Sequence, residues 1–164
     1  PLFGRAYMEV KTRRLSPDEA LDFLERGFSQ LGINCPRDVL ERAVETFDGI
    51  IGWLTYFGYE YSMRGSADFN GILRGAVQLA LSELRNLMSS LRSHRYSVIL
   101  RALAKESMPW RLIKCRLEDY EDRELNPITV SELLNNLAGM GIIEKVNDQY
   151  RIADPVYRLA AEHL

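Results

Sequence analysis

The chain opens with a short alternation of apolar and polar positions, Ala6-Tyr7-Met8-Glu9-Val10-Lys11. A period of two is that of a half-buried β-strand. From there to about residue 141 the apolar positions fall at helical spacing. Ser16-Pro17-Asp18-Glu19 predicts a helix start: a serine to cap, a proline in the first turn and a glutamate to close the capping box. Leu21, Leu24, Phe28 and Leu31 form its apolar face, and Gly32 ends it. Pro36 opens a second helix with Leu40, Val44 and Phe47 inward, ending at Asp48-Gly49. A third, aromatic helix carries Trp53, Tyr56, Phe57, Tyr59 and Tyr61 toward Gly65. Asp68 caps a long fourth helix with Ile72, Leu73, Ala76, Val77, Ala80, Leu84, Leu87 and Leu91 on one face, and Ser93-His94 breaks it.

The rhythm then changes. Val98, Ile99, Ala102 and Leu103 predict one helix, and Pro109-Trp110 opens another with Ile113, Leu117 and Tyr120. Asn126-Pro127 reads as a turn, and Thr129-Val130-Ser131-Glu132 as a second capping box leading to Leu133, Leu134 and Leu137. Gly139 and Gly141 stop that helix. Ile142 to Val146 and Gln149 to Ala153 flank Asn147-Asp148, a hairpin signal. Asp154-Pro155 caps a last helix with Val156, Leu159 and Ala160. Three helices followed by a hairpin is the order of a winged helix. The fold class expected is mainly α, with one N-terminal strand, a helical segment and a winged-helix domain.

Composition narrows the function. The 164 residues are 46% hydrophobic and 27% charged, with a formal net charge of -2. That excludes a global electrostatic pull toward nucleic acid. No apolar run approaches 18 residues and no signal-peptide pattern opens the chain, so the expectation is a cytoplasmic protein with no membrane partner. Cys35 and Cys115 lack metal or redox spacing and read as reduced thiols. His94 and His163 have no ligand neighbours in sequence, and the acidic run 118–124 lacks the glycine and spacing of a calcium loop. No metal site is expected. A lone strand needs a neighbour for its backbone groups, so its partner sheet is expected in an N-terminal part outside this chain.

Three blocks carry a family resemblance: Pro1-Leu2-Phe3-Gly4-Arg5-Ala6-Tyr7, Leu15-Ser16-Pro17-Asp18-Glu19-Ala20, and Gly49-Ile50-Ile51-Gly52-Trp53-Leu54-Thr55-Tyr56-Phe57-Gly58. Together they resemble the archaeal ATPase family, P-loop ATPases of the STAND class related to AAA+ proteins. The resemblance covers essentially the whole chain. It implies that residues 1–15 end an otherwise absent P-loop core, 16–93 form a helical lid and 94–164 the winged helix. No GxxxxGK[ST] occurs, so the chain alone is expected not to hydrolyse ATP. In the parent, ATP or ADP with Mg would be bound through the missing core. The turn of Gly49, Ile50, Ile51, Gly52 and Trp53 matches the family's Gly-x-Pro signature, which packs on adenine; Ile51 stands where the proline is usual. Arg5 would lie near the phosphates as a sensor or arginine finger.

Winged helices often read DNA with their third helix, but Thr129 to Met140 holds no Lys or Arg. Residues 94–164 hold 10 Lys and Arg against 11 Asp and Glu, a net of -1. DNA is therefore disfavoured as a partner, and an intramolecular contact, a protein partner or self-association is favoured. A basic face of Arg95, Arg101, Arg111, Lys114 and Arg116 is the opposing possibility. The rival function is a free-standing winged-helix DNA-binding transcription regulator.

Overall fold

The computed structural model describes residues 13–64 and 68–164. The expected strand 6–11 and Arg5 lie outside the described residues. Among the described residues, eight helices and three short strands follow in order: α1 Pro17–Gln30, α2 Arg37–Phe47, α3 Ile51–Arg64, α4 Phe69–Leu91, α5 His94–Lys105, β1 Met108–Pro109, α6 Trp110–Glu121, α7 Pro127–Gly139, β2 Ile143–Val146, β3 Gln149–Ile152 and α8 Pro155–Ala161.

Local chemistry sets most of the boundaries. The Ser16 hydroxyl accepts from the Glu19 amide, and the Glu19 carboxylate accepts from the Ser16 amide, closing the capping box. Asp68 caps α4 through the Gly71 amide. The Asp154 carboxylate caps α8 through the amides of Val156 and Tyr157 at 2.7 and 3.1 Å. Asn147 and Asp148 both take positive φ, 49° and 62°, as the tight turn between β2 and β3 requires. The expected capping box at Thr129 is not the start of α7. Asn126 is its cap, accepting from the Ile128 amide, with Pro127 as first helical residue. Proline needs no donor there and its fixed φ suits the helix, so α7 begins one turn early.

Helices α1 to α4 enclose an aromatic core. The Phe57 ring of α3 meets Phe28 of α1, Phe47 of α2 and Phe69 of α4 at 6.2, 6.1 and 5.7 Å between centroids. Helices α5 to α7 and the hairpin form the winged helix over buried Ile99, Leu103, Ile113, Leu117, Leu134 and Leu137. Its antiparallel sheet has the order β1-β3-β2. β1 is two residues long and pairs Met108 with Tyr150 and Pro109 with Gln149; no alternation in the sequence announces it. α5 buries Tyr96, Leu100 and Ala104 as well as Ile99 and Leu103, while Val98 and Ala102 are half-buried. Tyr120 on α6 is exposed, since that helix buries only Ile113 and Leu117 before Asp122 turns left-handed at φ 51°.

The two parts share one buried core. α8 follows the winged helix in sequence yet packs on α4 as well as on α5. The Tyr157 hydroxyl of α8 donates to Glu83 of α4 at 2.7 Å, and burial together with that carboxylate pushes the phenol up. Arg85 of α4 donates to the His163 carbonyl at 3.2 Å. Arg13 and Arg14 are exposed at the surface and engaged in ion pairs. Arg13 pairs with Glu19, and Arg14 spans from Asp48 to the carbonyl of Ala153.

Candidate functional site

The turn between α2 and α3 is built from two left-handed residues, Asp48 at φ 48° and Gly49 at φ 68°. The Gly49 carbonyl accepts from the Leu15 amide at 2.9 Å. A side chain at position 49 would overlap the Leu15 carbonyl oxygen. Glycine is required there twice over, for its φ and for the close approach. Ile50 is half-buried and accepts from the Leu54 amide at 3.0 Å, which starts α3. Ile51 and Gly52 are exposed, and a Cβ on Gly52 would meet nothing within 4 Å. The first turn of a helix leaves amides without intrahelical partners, so a small, open surface lies at 51–52.

Trp53 faces the other way. It is 8% exposed, and its indole N–H donates to the Asp154 carboxylate at 2.7 Å. Its ring stands edge-on to Tyr56 and Tyr157 at 6.1 and 6.4 Å. Of the five turn residues singled out in the sequence, Ile51 and Gly52 therefore offer surface, Gly49 and Ile50 shape the turn, and Trp53 reaches inward to α8. Nothing in the sequence pattern linked Trp53 to Asp154, 101 positions later.

Leu15 separates two clefts beside this turn. One, of about 500 Å³, is lined by Leu15, Leu21, Val44 and Gly49 together with Arg37 and Asp48. The other, of about 890 Å³, runs between α1 and α3 and is strongly apolar. Phe23, Leu31, Tyr59 and Met63 line it with a third or more of their surface exposed.

On the winged helix half of the cations are paired with carboxylates of the same domain. Arg95 forks onto Glu121, whose carboxyl is held down to about 2 by Arg95 and then Arg123. Lys114 pairs with Glu118, which also accepts from the Leu125 amide at 2.8 Å. Of the basic face considered from sequence, Arg95 and Lys114 are neutralised by carboxylates within the domain, while Arg101, Arg111 and Arg116 make no ion pair among the described residues. The wing cations are paired as well, Lys145 with Asp148 at 2.9 Å and Arg151 with Glu144 at 2.8 Å. On α7, Asn136 donates to the Tyr96 hydroxyl at 2.9 Å and Ser131 accepts from Trp110 at 3.2 Å. Glu132, Asn135 and Asn136 are its exposed polar residues on the middle turns, with Asn136 engaged by Tyr96.

Among the described residues no group of three His, Cys, Asp or Glu is placed to hold a metal ion. The acidic run 118–124 instead supplies the ion pairs of Glu118 and Glu121. Cys35 is half-buried, its thiol pushed up by burial, and Cys115 is exposed; the two are unbonded. No described helix is long and apolar enough to cross a membrane.

Comparison with known proteins agrees with this architecture. Residues 82–153 match the family model of the MCM protein C-terminal winged helix-turn-helix domain. That match begins within α4 and stops before α8. No curated protein is similar enough in sequence to count as a match. Among solved structures, a Walker-type ATPase of Pyrococcus abyssi is similar, with a TM-score of 0.80 and 36% identity over 99% of this chain. The chain spans 46% of the length of that protein. It therefore carries a winged-helix domain, similar over residues 82–153 to that of MCM C-termini, and over nearly its whole length it is similar to part of a Walker-type ATPase.

Proposed function

We propose that this chain is the lid and winged-helix portion of an ATP-driven molecular switch of the archaeal ATPase family, STAND-class and related to AAA+. The observation that carries the reading is the 36% identity over 99% of the chain to part of a Walker-type ATPase. In the parent protein a P-loop core binds ATP or ADP with Mg, and the lid closes over the base. The exposed, side-chain-free surface at Ile51 and Gly52 is the part of the turn suited to a flat adenine. Gly49 and Ile50 hold that surface in place, and Trp53 anchors it from behind. Arg5, ahead of the lid, is assigned to sensing the γ-phosphate. Closing and reopening of the lid would be set by nucleotide exchange or hydrolysis.

The reading frame that encodes this chain gives the first test. It should contain a GxxxxGK[ST] motif upstream; a stop codon or an unrelated domain there would remove the proposal. The purified 164-residue chain should release no phosphate from ATP above background, because its sequence holds no GxxxxGK[ST] loop to cradle phosphates and position Mg. Release that scales with protein concentration and survives repurification would contradict the division of labour.

For the winged helix we favour an intramolecular or protein contact over DNA. Non-specific DNA affinity comes from neutralising phosphates with Lys and Arg. Here α7 has none and the cations of the wing are paired. Random duplex DNA should bind no tighter than about 10⁻⁴ M at physiological salt. Fluorescence anisotropy across a salt series checks this. Micromolar affinity with a slope of several phosphates would favour the transcription-regulator reading instead.

A further inference from the structure

We propose that Trp53 and Asp154 form a latch through which the turn 49–52 and the last helix move as one unit. The inference rests on the nucleotide-facing reading of that turn only for its trigger; the coupling itself is a property of these residues.

One carboxylate serves two elements. The Asp154 Oδ1 accepts from the amides of Val156 and Tyr157 and so starts α8. The Oδ2 accepts from the Trp53 indole at 2.7 Å, and Trp53 is the first buried residue of α3 after the turn. A charge-assisted bond of this kind, mostly shielded from water, holds more firmly than an exposed one. The rings back the contact up, because Trp53 stands edge-on to Tyr157, and Tyr157 in turn donates to Glu83 on α4. A second strap runs alongside. Arg14 ties Asp48, the residue before Gly49, to the carbonyl of Ala153, the residue before Asp154. The pair 153–154 is thus tied to both sides of the turn, Asp154 directly by Trp53 and Ala153 through Arg14 to Asp48.

The consequence is mechanical. α8 is only seven residues long, too short to persist without its cap and its packing on α4. A displacement of the first turn of α3 pulls Trp53, and with it the side chain that starts α8. The seating of α8 is then the output of the lid turn. Because α8 also packs on α5, that output reaches the winged helix.

Two substitutions separate the latch from the cap. Trp53→Phe keeps an aromatic ring and deletes the N–H. Asp154→Asn keeps a good cap at Oδ1 but replaces the acceptor that faces Trp53, or forces a choice between the two tasks. Amide hydrogen exchange on the 164-residue chain, under native conditions, reads the outcome. Each variant should speed exchange of the α8 amides by roughly tenfold, the factor that corresponds to loss of one hydrogen bond to a charged group. The double variant should be no faster than the faster single, since both remove the same bond. Amides in the α1–α2 pair should be unchanged, which separates local release from global unfolding. Unchanged α8 exchange in both single variants, or additive effects in the double, would overturn the latch. A variant that lowers global stability is decided by urea unfolding, with α8 exchange compared at matched stability. Failure of the nucleotide reading shows elsewhere, as absence of ADP binding by the P-loop-containing parent, and leaves these exchange rates as they are.

Discussion

Phe57→Ala should destabilise the chain by about 3–5 kcal/mol, the usual cost of deleting a buried aromatic ring. Phe57 is fully buried, and rings from α1, α2 and α4 converge on it. Its loss removes a side chain that meets rings of all three, leaving a cavity that four helices cannot close together. Domains of this size have a total stability of about 5–15 kcal/mol, so the variant sits near the edge of folding at 37 °C. The control lies two positions away. Tyr59 is 61% exposed, and Tyr59→Ala should stay within about 0.5 kcal/mol of the parent. Urea unfolding followed by circular dichroism compares the two. If Phe57→Ala unfolds at the same urea concentration as the unaltered chain, helices α1 to α4 do not share a core.

That pair of residues also shows what the sequence contained. Trp53, Tyr56, Phe57, Tyr59 and Tyr61 form a dense aromatic block, and density alone allowed either a ligand box or a sealed core. Spacing favours the core for Trp53, Phe57 and Tyr61, which recur at i, i+4 and i+8 and are all buried. Helix starts were legible for the same reason, because their chemistry is short-range. Ser16 to Glu19, Asp68 and Asp154-Pro155 each satisfy amides within three residues. At α7 two such signals overlapped, and the proline at position 127 decided between them.

What the sequence hid was long-range. β1 is two residues whose partners lie about 40 positions on, and a strand that short has no period to detect. The pairing of Arg95 with Glu121 joins two helices across 26 positions, whereas the wing cations Lys145 and Arg151 pair with acids only a few residues away. Counting charges gave the net of the domain but not which cations remained free. The indole of Trp53 and the carboxylate of Asp154 are ordinary residues in their own helices. Only the packing of α8 back onto the first four helices brings them within a hydrogen bond. The turn residues 49–53 were recognisable as a block, while their division into two exposed and one inward-facing residue followed from the direction in which α3 leaves the turn.

Within that block, Gly49→Ala and Gly52→Ala should have opposite signs. At Gly49, with φ 68°, an alanine costs about 1–2 kcal/mol for the left-handed backbone alone. Its Cβ would also overlap the Leu15 carbonyl oxygen. Relief would require moving Leu15 and breaking the bond between its amide and the Gly49 carbonyl. A backbone neighbour cannot rotate aside as a side chain can, so the total should exceed about 3 kcal/mol. Gly52 has no such constraint, with helical backbone in the first turn of α3 and open space where a Cβ would go. Alanine there should stabilise by up to about 1 kcal/mol by restricting the unfolded chain. Thermal and urea unfolding of the two variants settle the signs, and a neutral Gly49→Ala would show that the turn is not pinned against Leu15. The contrast makes Gly52 the useful probe of function. Gly52→Val in the parent ATPase should fold normally yet weaken ADP binding, because its side chain fills the space through which the backbone would approach the base. Equal ADP dissociation constants for a folded Gly52→Val and the unaltered parent would assign this turn to structure alone.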